Sequence, residues 1–68
     1  MNKKQWACNL RLHVVKHKGD FQVWTFDHRA NNGGPVMVDA FGSLASVFEQ
    51  ATHYGWKYLD TNGLRRAR

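Results

Sequence analysis

Hydrophobic and polar residues alternate along the stretch 10–26, and Lys18-Gly19 interrupts the alternation. A period of two is typical of β-strands, and a two-residue turn at the interruption makes the stretch a hairpin. We predict strands from about Trp6 to Lys16 and from about Asp20 to Asp27. The turn places Val14 opposite Val23.

The alternation divides the hairpin into two chemically different faces. The residues of the first face are all apolar: Leu10, Leu12, Val14, Phe21 and Val23. The second face combines cations, histidines and aromatic rings: Arg11, His13, Val15, His17, Gln22, Trp24 and Phe26. The second face is therefore either another buried layer or a surface that binds a partner.

The remainder of the chain predicts two more strands and a helix. Residues His28–Pro35 carry many turn signals and form a loop, which Val36–Phe41 follows as a third strand. Apolar residues then recur at helical spacing over Leu44–Tyr54. A short fourth strand follows at Trp56–Leu59. Trp56 and Tyr58 fall on one side of this strand, and we expect them to close the core beneath the helix.

The predicted helix has recognisable ends. Ser43 can cap its first turn, because a serine hydroxyl accepts a hydrogen bond from an otherwise unpaired amide. Gly55 stands where a glycine commonly ends a helix. We expect the apolar stripe of this helix to pack on the apolar face of the hairpin.

The element order β-β-β-α-β predicts a small α+β fold, with a three- to four-stranded antiparallel sheet and one helix on one face. We expect residues 1–68 to form a single small domain, with frayed residues 1–5 and a basic tail at 64–68. One helix covers one face only, so Trp24 and Phe26 are predicted to lie on a bare surface. Large aromatic side chains on a bare face indicate an interface.

Charge narrows the choice of partner. The chain has ten Lys and Arg residues against five Asp and Glu residues, a net charge of +5. Such a bias favours nucleic acids or acidic proteins as partners, although it also serves simple solubility. No signal-peptide pattern and no long apolar run is visible, and the single cysteine suits a reducing compartment. We therefore expect a cytoplasmic protein without membrane contact.

The basic and aromatic face predicts a non-enzymatic module that binds nucleic acid, with duplex DNA preferred. Sheet surfaces that bind nucleic acids combine cations for phosphates with aromatic rings for bases. The predicted base-contacting residues are Arg11, His13, Gln22, Trp24 and Phe26. The predicted phosphate-contacting residues are Lys16, Lys18, Arg29, Arg65 and Arg66.

Catalytic and metal chemistry have little support. His13 and His17 share a strand face but lie roughly 13 Å apart, too far for one metal ion. Cys8 lacks a surrounding catalytic motif. We expect no enzyme activity, no cofactor and no metal.

Two architectural resemblances bear on function. The first 55 residues resemble the three-stranded-sheet-plus-helix DNA-binding domains of certain plant transcription factors and of integrases. That resemblance implies that the sheet face opposite the helix enters a major groove through Arg11, His13, Gln22 and Trp24. The segment 36–59 is similar to the strand-helix-strand end of very small phage proteins, among them an inhibitor of a host RNA polymerase.

The second resemblance supports an alternative. A small phage-type regulator or inhibitor would bind an acidic surface of a host protein, such as the transcription machinery, through aromatic and arginine side chains. Homodimerisation through Trp24 and Phe26 is a third possibility.

Overall fold

The computed structural model describes residues 2–26 and 31–65. It contains a sheet of four strands: β1 (Arg11–His17), β2 (Asp20–Phe26), β3 (Pro35–Phe41) and β4 (Tyr58–Asp60). The strand order across the sheet is β3-β2-β1-β4. The main helix, α2 (Leu44–Tyr54), packs on one face, so the predicted α+β class is confirmed.

The hairpin has the predicted register. Val14 pairs with Val23, and Lys18 adopts a φ of +57° in the two-residue turn. β3 adds antiparallel to β2, with a bulge between Val23 and Trp24. β4 instead pairs with β1 in parallel, which makes the sheet mixed rather than wholly antiparallel. A strand that follows a helix can return to the sheet in this parallel direction.

One face of the sheet, here called the covered face, forms the core with α2. Its buried residues include Leu12, Val14 and Val23, which are fully enclosed. Val47 of α2 and Trp56 complete this core. Burial of aliphatic side chains stabilises the fold by about 25 cal/mol per Å² of apolar surface.

Both ends of α2 are formed as predicted. The Ser43 hydroxyl accepts a hydrogen bond from the Ser46 amide at 3.2 Å. Gly55 has a φ of +70°, a left-handed conformation that costs glycine little.

The N-terminal segment differs from the prediction. Residues Lys3–Trp6 form a short helix, α1, and Ala7–Asn9 form a 3-10 turn, so the first strand begins at Arg11 rather than at Trp6. Asn2 caps α1, since its side chain accepts a hydrogen bond from the Gln5 amide at 2.8 Å. The Asn2 cap and the contact of Lys4 with Asp39 stabilise this segment.

Lys4 anchors α1 to the covered side. Its Nζ lies 2.8 Å from a carboxylate oxygen of Asp39 and 3.1 Å from Oε1 of Gln50. It also lies 5.7 Å from the ring centre of Phe41 and 5.6 Å from that of Tyr54. The lysine therefore joins α1 to both β3 and α2.

Two further 3-10 turns complete the described chain, Asn31–Gly33 and Asn62–Arg65. The second follows β4 and lies against β1. Leu64, the first residue of the predicted basic tail, is partly buried against the core. Residues 66–68 of that tail lie outside the described residues.

Candidate functional site

The sheet face opposite α2 is open to solvent. Strand pairing places Trp24 of β2 and Met37 of β3 on this face, on one side of β1. On the other side of β1, it places Tyr58 and Asp60 of β4 on the same face. The open face is defined by Arg11, His13, Val15, Gln22, Trp24, Phe26, Met37, Tyr58 and Asp60. Phe26, Met37 and Tyr58 are among the most exposed large apolar side chains of the described chain.

The predicted base-contacting residues all lie on the open face. Phe26 is 59% exposed, whereas Trp24 is half-buried and its indole N–H donates to Oε1 of Gln22 at 2.9 Å. The His13 ring meets the Phe26 ring edge-on, with 5.8 Å between centroids. The structure thus brings cation, histidine and aromatic rings together on one surface.

The predicted phosphate-contacting residues are distributed differently. Lys16 lies on the side of Phe21, with its Nζ 5.8 Å from the centre of that ring, and so does not share the open face. Lys18 is exposed in the hairpin turn. Arg65 ends the last 3-10 turn, and its side chain, like Arg29 and Arg66, lies outside what the structure describes.

A recess of about 660 Å³ occupies the open face. Such a volume lies within the range of about 300–1,000 Å³ that is usual for small-ligand sites. The hairpin and β3 supply one part of its lining: His13, Val15, Trp24, Phe26 and Pro35. The C-terminal segment supplies the other part: Asp60, Asn62 and Gly63.

Gly63 closes the recess at the edge of the sheet. A Cβ atom at this position would lie 2.9 Å from the Val14 carbonyl oxygen and 3.0 Å from Cγ1 of Val15. Only a glycine allows this approach without a shift of the neighbouring atoms. The close contact holds the 3-10 turn against β1 and so fixes one wall of the recess.

Asp60 is the acidic group of the recess. Its Oδ1 accepts a hydrogen bond from the Asn62 amide at 2.8 Å, and its Oδ2 lies 3.4 Å from Nδ1 of His13. The Asn62 N–H holds the pKa of Asp60 below its usual range. Desolvation opposes this shift, and His13 and Arg11 add to it. Asp60 is therefore an ionised acceptor at neutral pH.

A second cavity of about 240 Å³ adjoins the recess at the β1–β4 edge. Arg11, Lys57, Tyr58, Leu59 and Asp60 line it. Two exposed cations thus stand beside the aromatic surface. Sequence reasoning missed Tyr58 and Lys57 as site residues, and it expected Tyr58 in the core beside Trp56. Trp56 is buried, but Tyr58 is 55% exposed, because the parallel pairing of β4 turns it to the open face.

No metal site is evident among residues 2–26 and 31–65, where three or more potential ligands do not converge. Within the same ranges, none of the helices has the length and apolar character needed to cross a membrane.

Comparison with known proteins finds no matching family model, no matching curated protein and no matching solved structure. The chemistry of the open face is therefore the basis for an assignment.

Proposed function

We propose that the protein is a non-enzymatic module that binds nucleic acid through the open face, with unpaired bases preferred over a duplex. The single observation that carries this proposal is the recess lined by Trp24 and Phe26, next to a second cavity that Arg11 and Lys57 line. Base stacking on an aromatic side chain contributes about 1–3 kcal/mol per base and tolerates any sequence.

The shape of the open face favours a single strand. Phe26 and Tyr58 present exposed rings on which separated bases can stack. Insertion into a duplex groove instead requires side chains that project towards base edges, whereas Trp24 is half-buried and already bonded to Gln22. A recess accepts a base that has left its stack more readily than it accepts a paired one.

Phosphate contacts would come from exposed cations outside the recess. Arg11 and Lys57 line the adjoining cavity, and Lys18 is exposed at the hairpin turn. Three such contacts on a single strand predict that log K falls with log salt at a slope of about −2. A net charge of +5 supports the approach of any polyanion.

The first test is fluorescence anisotropy with a labelled thymidine strand of roughly 12 nucleotides and a duplex of equal length. The titrations are run at about 50 and 200 mM salt, where phosphate-dependent binding differs strongly. We expect tighter binding to the single strand. Tighter binding to the duplex would instead support entry of the sheet into a groove.

A pair of variants tests whether the oligonucleotide binds to the open face. Phe26→Ala removes an exposed ring from the recess, so we expect the affinity to fall by a factor of about 5 to 150. Phe48→Ala is the matched control, because Phe48 is 47% exposed on α2 and lies away from the recess. Equal effects of the two substitutions would contradict a site on the open face.

Absence of oligonucleotide binding at low salt would overturn the proposal. The alternative is then a regulator that binds an acidic host protein. Capture of a partner from a nuclease-treated extract, lost in Phe26→Ala and kept in Phe48→Ala, would support it.

A further inference from the structure

The recess contains an acid, Asp60, on a face that otherwise carries cationic and aromatic groups. Asp60 stands between the aromatic lining and the cavity bordered by Arg11 and Lys57. An anion in this position repels phosphates unless a donor group of the ligand meets it. Its presence therefore limits which ligands fit.

The carboxylate has acceptor capacity left for a ligand. An ionised carboxylate offers about four acceptor positions on its two oxygens. Among the described residues, the Asn62 amide occupies one position on Oδ1 and His13 occupies one on Oδ2. One position on each oxygen remains, which is enough for a ligand edge with two neighbouring N–H donors.

We infer that the recess selects guanine among unpaired bases, through stacking on Phe26 and paired hydrogen bonds from guanine N1–H and N2–H to Asp60. This inference rests on the proposed function and names the base that the same site prefers. Flipped or unpaired bases are commonly identified at their Watson–Crick edge in this way.

The other bases lack this donor pair. Thymine and uracil have one N–H between two carbonyl oxygens, and these oxygens would face the carboxylate. Adenine and cytosine each place one amino group beside a ring nitrogen that accepts. An acceptor opposite the ionised Asp60 is unfavourable, so each of these bases forms at most one hydrogen bond there.

His13 links the two groups that would bind the base. It contacts the carboxylate of Asp60 through Nδ1 and meets the Phe26 ring edge-on. Both groups line the recess.

The test compares thymidine strands of roughly 12 nucleotides that carry one central substitution, by anisotropy at constant salt. We expect central guanine to bind about tenfold more tightly than central thymine, adenine or cytosine, a difference typical of one bidentate base contact. Hypoxanthine, which keeps N1–H but lacks the 2-amino group, should fall between guanine and thymine. This series uses the wild-type protein and needs no variant to fold.

Two variants then assign the preference to one carboxylate. Asp60→Asn keeps an oxygen for the Asn62 amide but removes the paired acceptor, so we expect the guanine preference to fall below twofold. Asp20→Asn is the matched control, because Asp20 is an exposed acid at the hairpin end of β2. It should raise the affinity for all strands without changing their ratio.

The outcomes separate the inference from the proposed function. Binding of all strands with equal affinity would overturn the guanine selectivity and leave the proposed function intact. A guanine preference that survives Asp60→Asn would overturn the role of Asp60. Absence of binding to every strand would overturn the proposed function and the inference with it.

Discussion

Both faces of the sheet carry large apolar side chains, but these side chains differ strongly in their exposure to solvent. Leu12, Val14 and Val23 are fully enclosed by α2 and its neighbours, whereas Phe26 and Tyr58 on the opposite face remain more than half exposed. A single helix accounts for this difference, since it can cover only one face. The comparison suggests that the covered face determines stability and the open face determines binding.

The largest effect that tests this division is the loss of a side chain from the covered face. We expect Leu12→Ala to lower the free energy of unfolding by about 2–4 kcal/mol, because it leaves a cavity in a small core. Phe26→Ala should change it by no more than about 0.5 kcal/mol. Urea denaturation of both variants measures the contrast. Similar losses for the two would mean that the open face is itself buried, as in a homodimer.

A second substitution tests the contact that joins the open face to its C-terminal wall. Gly63→Ala forces a Cβ atom against the Val14 carbonyl and the Val15 side chain. We therefore expect the free energy of unfolding to fall by about 1–3 kcal/mol and oligonucleotide binding to weaken.

The control for this substitution is Gly42→Ala. A Cβ atom at Gly42 would meet no heavy atom within 4 Å, so the free energy of unfolding should change by no more than about 0.5 kcal/mol. Thermal unfolding distinguishes the two variants. A neutral Gly63→Ala would show that the 3-10 turn is not held against β1.

The smallest expected effect concerns the ion pair on the covered side. Burial tends to raise the pKa of Asp39, but hydrogen bonds from Lys4 and from the Ala40 amide outweigh it and lower that pKa. The hydrogen bond to Asp39 also raises the pKa of Lys4. Lys4→Met should therefore lower the free energy of unfolding by about 1 kcal/mol at neutral pH.

The destabilisation by Lys4→Met should depend on pH, because the pKa values of both Asp39 and Lys4 are shifted. The contribution of Asp39 is present above its ordinary pKa of about 4 and is lost as pH falls through its lowered pKa. The contribution of Lys4 is present below about 10.4 and is lost as pH rises through its raised pKa. The stability difference between wild type and Lys4→Met should thus shrink at both ends of the range. Urea titrations from acid to alkaline pH check this, and a constant difference would exclude the ion pair as its cause.

Local patterns were sufficient to predict the hairpin and the main helix. The register around Lys18-Gly19 follows from a two-residue turn, and the ends of α2 follow from Ser43 and Gly55. In both cases the determining residues are neighbours in the sequence, so the pattern contains the necessary information.

Features that depend on distant contacts were not predicted. α1 contains too few residues for a periodic signal and is held by Lys4, whose partners lie more than thirty residues away. The direction of β4 depends on its pairing with β1, and this direction places Tyr58 and Asp60 on the open face. The alternation around Arg11 indicated the surface, but no local signal indicated the acid that completes it.

The parallel pairing of β4 has a consequence for the order in which the site forms. Only three residue pairs join β4 to β1, and they come from nearly opposite ends of the chain. Closing so long a loop costs more chain entropy than closing the hairpin, so we expect this edge to form late and to open early in sub-global fluctuations. A ligand seated between Phe26 and Asp60 would bridge the earliest and the latest parts of the chain to fold. Binding would then stabilise the most weakly held edge of the sheet. The unfolding of the protein would therefore be most cooperative when the recess is occupied.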